Sequence, residues 1–526
     1  MKKYDKLFFE ASRLVHRRDI GYIAFQQAAL WILDRVLRPC YGATLANLLG
    51  FAAFLLTTGL LLLVYAARWY KLKTGESLYG QLFSPDREGS LIQILSRARK
   101  NYADIDRNKS KGLNTKLGGD GIMLGLNEDN KHVMSPSNAE EHILVVGGSG
   151  TGKTRCVVEN ALDTFKGSKF AIDISGDITK AFKDRGLLVI DPYGKRTVCF
   201  NAFALVDSEP NPSMKIVLLK RLANLIISEY DPKKSEGSAA YFQQGAHLLF
   251  YGALVHYYAK GLDFCDLCYK ITSLTASELL KEINQNGKPN AKLAVAELSR
   301  IRDYNLSSMK QKVNTCINIF AASRIVKRVL KRENMGYPSV SPSFLEHDSV
   351  ILRVPQSEVE FFAPMMRLIS GLVLDYCSTR ELYPAQKILI CLDEFSSLGF
   401  IDIIKPLETL RKYGARVIIL TQSLADLDNI YGENKRRILL DNCGIKMILS
   451  AGDRDTQEYF SRLIGTHEVV KKTRTYDGDG AKHTYTTVEK PIYYPEALSH
   501  LGEYCVVILP DGYMHLRKHY YPQIIS

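Results

Sequence analysis

Ile143-Leu144-Val145-Val146-Gly147-Gly148-Ser149-Gly150-Thr151-Gly152-Lys153-Thr154 decides how this chain is read. Four apolar residues predict a buried strand, and the eight that follow fit G-x-x-x-x-G-K-[ST] without a mismatch. A strand running through glycines into a helix aims backbone N–H groups at phosphate. In that arrangement Gly147, Gly148, Ser149, Gly150, Thr151 and Gly152 cradle ATP, Lys153 reaches its β- and γ-phosphates, and the Thr154 hydroxyl holds Mg2+.

Two later stretches supply what such a loop needs for hydrolysis. The apolar run Ile388–Leu392 ends in Asp393-Glu394. On a strand beside the loop, Asp393 shares the Mg2+ with Thr154 and Glu394 polarises the attacking water. The run Val417–Leu420 leads into Thr421-Gln422-Ser423, where Gln422 is placed to sense the γ-phosphate or position water. A helix N-cap by Ser423 is the competing reading there. Arg411 and Arg416 flank Gly414, and either reads as a finger toward a neighbouring nucleotide or as an ordinary solvated arginine.

The rest of the chain sets the context. Its 526 residues suffice for two or three domains. With 69 basic against 56 acidic residues the net charge is +13, which favours an anionic partner, nucleic acid or a membrane surface. Ten cysteines show no pairing pattern, as in a reducing compartment. The single CxxC, Cys265 to Cys268, lacks companions and reads as two part-buried thiols rather than a zinc or redox site.

Thr44 to Ala67 is 24 residues without a charge, about 36 Å as a helix and enough to cross a bilayer. Trp69, Tyr70, Arg68, Lys71 and Lys73 follow it, which places that end in the cytoplasm. The basic residues before Ile20 make the opposite flank cytoplasmic too, so residues 20–37 are expected to cross as well, with a helix lying in the interface as the rival. The expectation is a multi-pass membrane protein anchored by residues 1–75, with the rest of the chain in the cytoplasm.

Beyond a connector at 72–118, apolar runs alternate with helical patterns, which implies an α/β domain with a parallel sheet. Candidate strands are Ile143–Val146, Phe170–Ile174, Leu187–Ile190, Val350–Val354, Ile388–Leu392, Val417–Leu420, Lys446–Leu449 and Val506–Leu509. Between 212 and 334 helical periodicity replaces them. That stretch carries 19 Lys and Arg against 10 Asp and Glu, so +9 of the whole +13. Three parts follow: residues 76–211 and 335–526 as one nucleotide-binding domain, with 212–334 as an all-helical insert.

Taken in order, the loop 147–154, Leu392-Asp393-Glu394-Phe395-Ser396-Ser397-Leu398-Gly399, Arg411 to Gly414, Thr421 to Leu424, Asp428 to Gly432 and Phe460 to Gly465 resemble the type IV secretion coupling proteins of the TraG/TraD type. The resemblance covers nearly the whole chain. It implies a RecA-like P-loop ATPase, a homo-hexamer anchored in the bacterial inner membrane at the entrance of a conjugation or effector-secretion channel. It makes Lys153 and Thr154 nucleotide and Mg2+ ligands, Asp393 and Glu394 the hydrolytic pair, Gln422 the sensor and Arg411 the finger in trans. The partners implied are other type IV secretion inner-membrane components, membrane lipids, and DNA with its relaxase or effector proteins with their adaptors. A docking receptor with little motor activity and an FtsK/HerA-type DNA translocase are the alternatives. One departure stands out: Asp173-Ile174-Ser175-Gly176-Asp177 lacks the lysine of the family's Asp-x-Lys-Gly-Glu.

Arg324, Lys327, Arg328, Lys331 and Arg332 fall at i, i+3, i+4, i+7 and i+8 of a helix expected over 306–333. Such a stripe can track a nucleic-acid backbone or be a plain solvated face. Thr473–Thr484 lacks the calcium-loop ligands of an EF-hand and reads as a hairpin turn.

Overall fold

The computed structural model describes residues 121–521 except 136–139, 196, 228–236, 333–338, 478–479 and 511. These fall in two units, one of residues 465–492 and one of the remainder. The first seven strands are β1 (Met123–Leu126), β2 (His132–Met134), β3 (Ile143–Val146), β4 (Ser168–Asp173), β5 (Leu188–Ile190), β6 (Cys199–Phe200) and β7 (Ser339–Val340). There follow β8 (Val350–Arg353), β9 (Ile388–Leu392), β10 (Ala415–Thr421), β11 (Ile445–Ile448), β12 (Thr466–Asp477), β13 (Gly480–Pro491), β14 (Tyr504–Leu509) and β15 (Gly512–Arg517).

Eleven strands form one sheet in the order β2-β1-β15-β14-β11-β3-β10-β9-β4-β8-β5. From β11 to β5 every neighbouring pair is parallel. Every residue of β3, β9 and β10 is buried, as continuous apolar runs in a sheet covered on both faces must be. The four strands beyond β11 pair antiparallel. The run at Val506–Leu509, expected in the parallel series, is the end of β14 and turns straight back into β15.

The α/β architecture is as expected, but one neighbour relation is not. The strand ending in Asp393 was expected beside the loop's strand; β10 lies between β3 and β9 instead. Strand order follows from long-range parallel pairing, which no local run of residues encodes.

Between β6 and β7 the described chain is helical, from Pro212–Ile226 through Ser238–Ala259, Phe264–Ser273, Ala276–Asn286, Pro289–Val295 and Asp303–Ala322 to Arg324–Val329. Local chemistry sets the boundaries. Asn211 accepts from the Ser213 N–H ahead of Pro212, and Thr275 makes a capping box with Glu278. The helix expected over 306–333 is broken, because Ser323 leaves the helical region and its hydroxyl caps a new start by accepting from the Val326 N–H.

Among the described residues no helix is long and apolar enough to cross a membrane. This corrects the expectation of a multi-pass inner-membrane protein. The longest described helix, Ser238–Ala259, carries Gln243, Gln244, His247 and His256, and it buries Ala246, Leu249, Phe250, Ala253 and Leu254. The spans expected at 20–37 and 44–67 lie outside the described residues.

The smaller unit pairs β12 with β13, from Thr466 opposite Pro491 to Asp477 opposite Gly480; the turn expected within 473–484 would fall on residues 478–479, outside the described residues.

Candidate nucleotide site

The loop leaves β3 under tight backbone control. The Gly147 N–H donates to the Thr421 carbonyl at 3.2 Å, which ties the loop to the end of β10. Gly150 and Gly152 have φ of 75° and 90°, the left-handed region that a side chain disfavours. Gly148 and Gly150 lie at the open crest with Ser149, and Thr151 Oγ1 braces the turn by donating to the Gly148 carbonyl at 2.8 Å. Lys153 is buried, its ammonium donating to the carbonyls of Gly147 at 2.8 Å and Gly148 at 3.3 Å. The helix then opens with a wide π turn, Thr154–Val158, a local variant frequent at functional sites.

The expected hydrolytic residues converge here. Thr154 Oγ1 donates to Asp393 Oδ2 at 3.0 Å, although 239 positions separate the two residues. Burial pushes the Asp393 carboxyl up to about 6, against the pull of the Thr154 hydroxyl and the Lys153 ammonium. Glu394 takes a left-handed φ of 46°, a conformation that costs a non-glycine residue free energy and that turns its carboxylate back toward the loop. Its Oε1 lies 3.9 Å from the Lys153 ammonium, and its Oε2 accepts from Gln422 Nε2 at 3.2 Å. Ser423 caps the following helix by accepting from the Asp426 N–H, the competing reading of 421–423.

A hydroxyl and a buried carboxylate at hydrogen-bonding distance are an all-oxygen pair of the kind Mg2+ selects. A cation between them would relieve the crowding of Asp393 and Glu394. The residues present therefore fit Mg2+, with Thr154 and Asp393 as holders.

The two candidate arginines part company. Arg416 is buried, its Nε donating to the Glu141 carbonyl at 2.7 Å and Nη1 to Ser135 at 3.3 Å. Arg411 stays part-exposed in the turn Leu410–Tyr413 that enters β10. A strand the length of β10 spans about 20 Å, so Arg411 stands at the opposite end of the sheet from its own loop.

The basic stretch is divided by its neighbours. Lys327 pairs with Asp266, and Arg328 donates to the carbonyls of Pro192 and Gly194. Arg332 pairs with Asp207 at 3.2 Å and lies over the rings of Phe203 and Tyr258 at 4.8 and 5.2 Å. Lys331 and Arg332 follow the end of the helix and are half-buried, while Arg324 is exposed at its start. Cys265 and Cys268 are buried thiols, with burial raising the Cys265 pKa to about 12.

Two features escaped the sequence reading. His142, next to β3, is fully buried; its Nδ1 accepts from the Val417 N–H and its Nε2 donates to the Leu407 carbonyl, each at 3.0 Å. Burial lowers its pKa to about 3, so it is neutral. Asp173, where the family pattern departs, caps the turn after β4 by accepting from the N–H groups of Gly176 and Thr179. A lone buried histidine and a strand-end aspartate carry no periodic signal.

The sequence matches the family described as type IV secretory system conjugative DNA transfer over residues 86–521. It is 28% identical over 414 residues to Protein VirD4 of Agrobacterium fabrum, covering 73% of this chain and 59% of that protein. The chain thus spans less than two thirds of the length of that curated relative. Among solved structures, plasmid coupling protein TrwB in complex with a non-hydrolysable ATP analogue superposes with a TM-score of 0.60 at 18% identity, covering 79% of this chain and 92% of the other. TrwB in complex with ADP and Mg2+ gives a TM-score of 0.60 at 17% identity with the same coverage. At these identities the likeness is one of fold.

Proposed function

The chain belongs to the type IV secretory system conjugative DNA transfer family, and on that premise we propose that it is an ATPase. Its hydrolysis would drive delivery of DNA with its relaxase, or of effector proteins with their adaptors, into a type IV secretion channel. The TrwB complexes with an ATP analogue and with ADP and Mg2+ support this reading.

The observation that carries it is the 3.0 Å contact between Thr154 and Asp393, because it joins the phosphate loop to a carboxylate with Glu394 and Gln422 attached. Residues 147–152 hold the phosphates through backbone N–H groups, and Lys153 turns from its loop carbonyls to the β- and γ-phosphates. Mg2+ held by Thr154 and Asp393 would supply charge neutralisation for the phosphates. Glu394 accepts a proton from the attacking water, and Gln422, bonded to it, holds that carboxylate in place until the γ-phosphate arrives. Arg411 serves the nucleotide of another copy, since its own loop lies at the far end of β10. That arrangement calls for a closed ring such as a hexamer.

In the full chain, Lys153→Ala is expected to abolish ATP turnover. A variant that hydrolyses ATP at the wild-type rate removes this mechanism. Wild-type protein that binds ATP but gains no turnover with single-stranded DNA speaks for the docking receptor. Mixing the inactive Lys153→Ala and Arg411→Ala chains should restore turnover, because some interfaces then unite an intact loop with an intact arginine. A mixture that stays inactive removes the trans role of Arg411.

A further inference from the structure

The residues after β15 pass over the helix that leaves the phosphate loop. The Tyr521 N–H donates to the Arg155 carbonyl at 3.1 Å, and Asn160 Nδ2 donates to the His519 carbonyl at 2.8 Å. Tyr521 is stacked on Phe182 at 5.5 Å between centroids. Between these anchors Tyr520 is held at the loop yet remains 36% exposed. Its Cε1 stands 2.9 Å from where a methyl on Gly152 would lie, and the Arg155 guanidinium is 5.7 Å from its ring centroid.

A fixed aromatic ring left partly in water beside a phosphate-binding loop is a surface that awaits apolar cover. A nucleoside triphosphate with its phosphates on 150–154 leads its ribose and base out past the first turn of the helix. Arg155 belongs to that first turn, and Tyr520 lies beside both it and Gly152. We propose that Tyr520, with Arg155, forms the platform on which the purine base of the bound nucleotide stacks. This inference rests on the nucleotide-binding reading of the loop and adds the base to it. Stacking reads ring area rather than a base's hydrogen-bonding edge. ATP and GTP therefore bind alike, and CTP binds more weakly.

The test is calorimetric titration of the full chain with ATP, CTP and inorganic tripolyphosphate. Tyr520→Ala and Tyr520→Leu should each lose about tenfold in ATP affinity, about 1.4 kcal/mol, and lose the preference for ATP over CTP. Tripolyphosphate affinity should not change, and Tyr520→Phe should bind ATP like the wild type. The leucine keeps the space beside Gly152 filled, so a folding defect in the alanine variant leaves the leucine result decisive. Unchanged ATP affinity in both variants overturns the platform. Equal losses of ATP and tripolyphosphate also overturn it, since Tyr520 would then merely prop the loop through Gly152. Wild-type protein that binds neither ATP nor tripolyphosphate defeats the reading of the loop itself.

Discussion

The phosphate loop at 147–154 and the basic stretch at 324–332 are both short, cationic and conspicuous along the chain, and the fold treats them in opposite ways. At the loop, residues that follow three strands converge: Asp393 meets Thr154, and Glu394, bonded to the Gln422 amide, stands near Lys153. At the basic stretch a carboxylate, backbone carbonyls and aromatic rings hold Lys327, Arg328 and Arg332, though Lys327 and Arg328 stay exposed. A phosphate cradle is a property of the backbone and survives folding. A charged stripe is a property of side chains, and its availability depends on what packs beside it.

The contrast can be broken at the loop first. Gly152→Ala places a methyl 2.9 Å from both Cys156 Sγ and Tyr520 Cε1 at a φ of 90°. It should reduce ATP affinity by at least tenfold, roughly 1.4 kcal/mol, measurable by titration; wild-type affinity would mean that the loop tolerates distortion. Acid provides the next test. The folded pKa of His142, about 3, lies below its ordinary 6.5, so the unfolded chain binds the proton more readily. Stability is full above about pH 6.5 and falls by roughly 1–2 kcal/mol toward pH 5. His142→Asn, able to keep one of the two hydrogen bonds, should flatten that slope in urea titrations at the two pH values.

At the basic stretch, Arg332→Ala removes an ion pair and two ring contacts from a half-buried side chain. It should lower the urea midpoint by an amount worth about 1–2 kcal/mol. A neutral result would return Arg332 to the solvated face. The smallest effect belongs to Arg324→Glu. It should leave stability within about 0.5 kcal/mol while reducing the salt slope of single-stranded DNA retention by about one. An unchanged slope would leave Arg324 as ordinary surface.

Much of the site was legible beforehand, for identifiable reasons. Lys153, Thr154, Asp393, Glu394 and Gln422 each end or follow a short apolar run, and such runs become buried strands whose carboxyl ends share one edge of a parallel sheet. Position beside Gly414 did not separate Arg411 from Arg416; the resemblance chose Arg411, and the contacts of Arg416 with Glu141 and Ser135 supply the physical difference. The break at Ser323 was hidden because serine in a helical pattern is also a cap. Tyr520 was hidden because its partner Gly152 lies far away along the chain.

The sequence by itself determined the phosphate loop, the strands that feed it and the helical character of 212–334, since glycine conformations and apolar periodicity act over a few residues. Only the tertiary structure decided that β10 separates β3 from β9, that Arg411 rather than Arg416 stays accessible, that the basic stretch is shared out, and that Tyr520 reaches the loop. Each of these depends on which distant segments pack together, and that is settled by the free energy of the whole core rather than by any window of the chain.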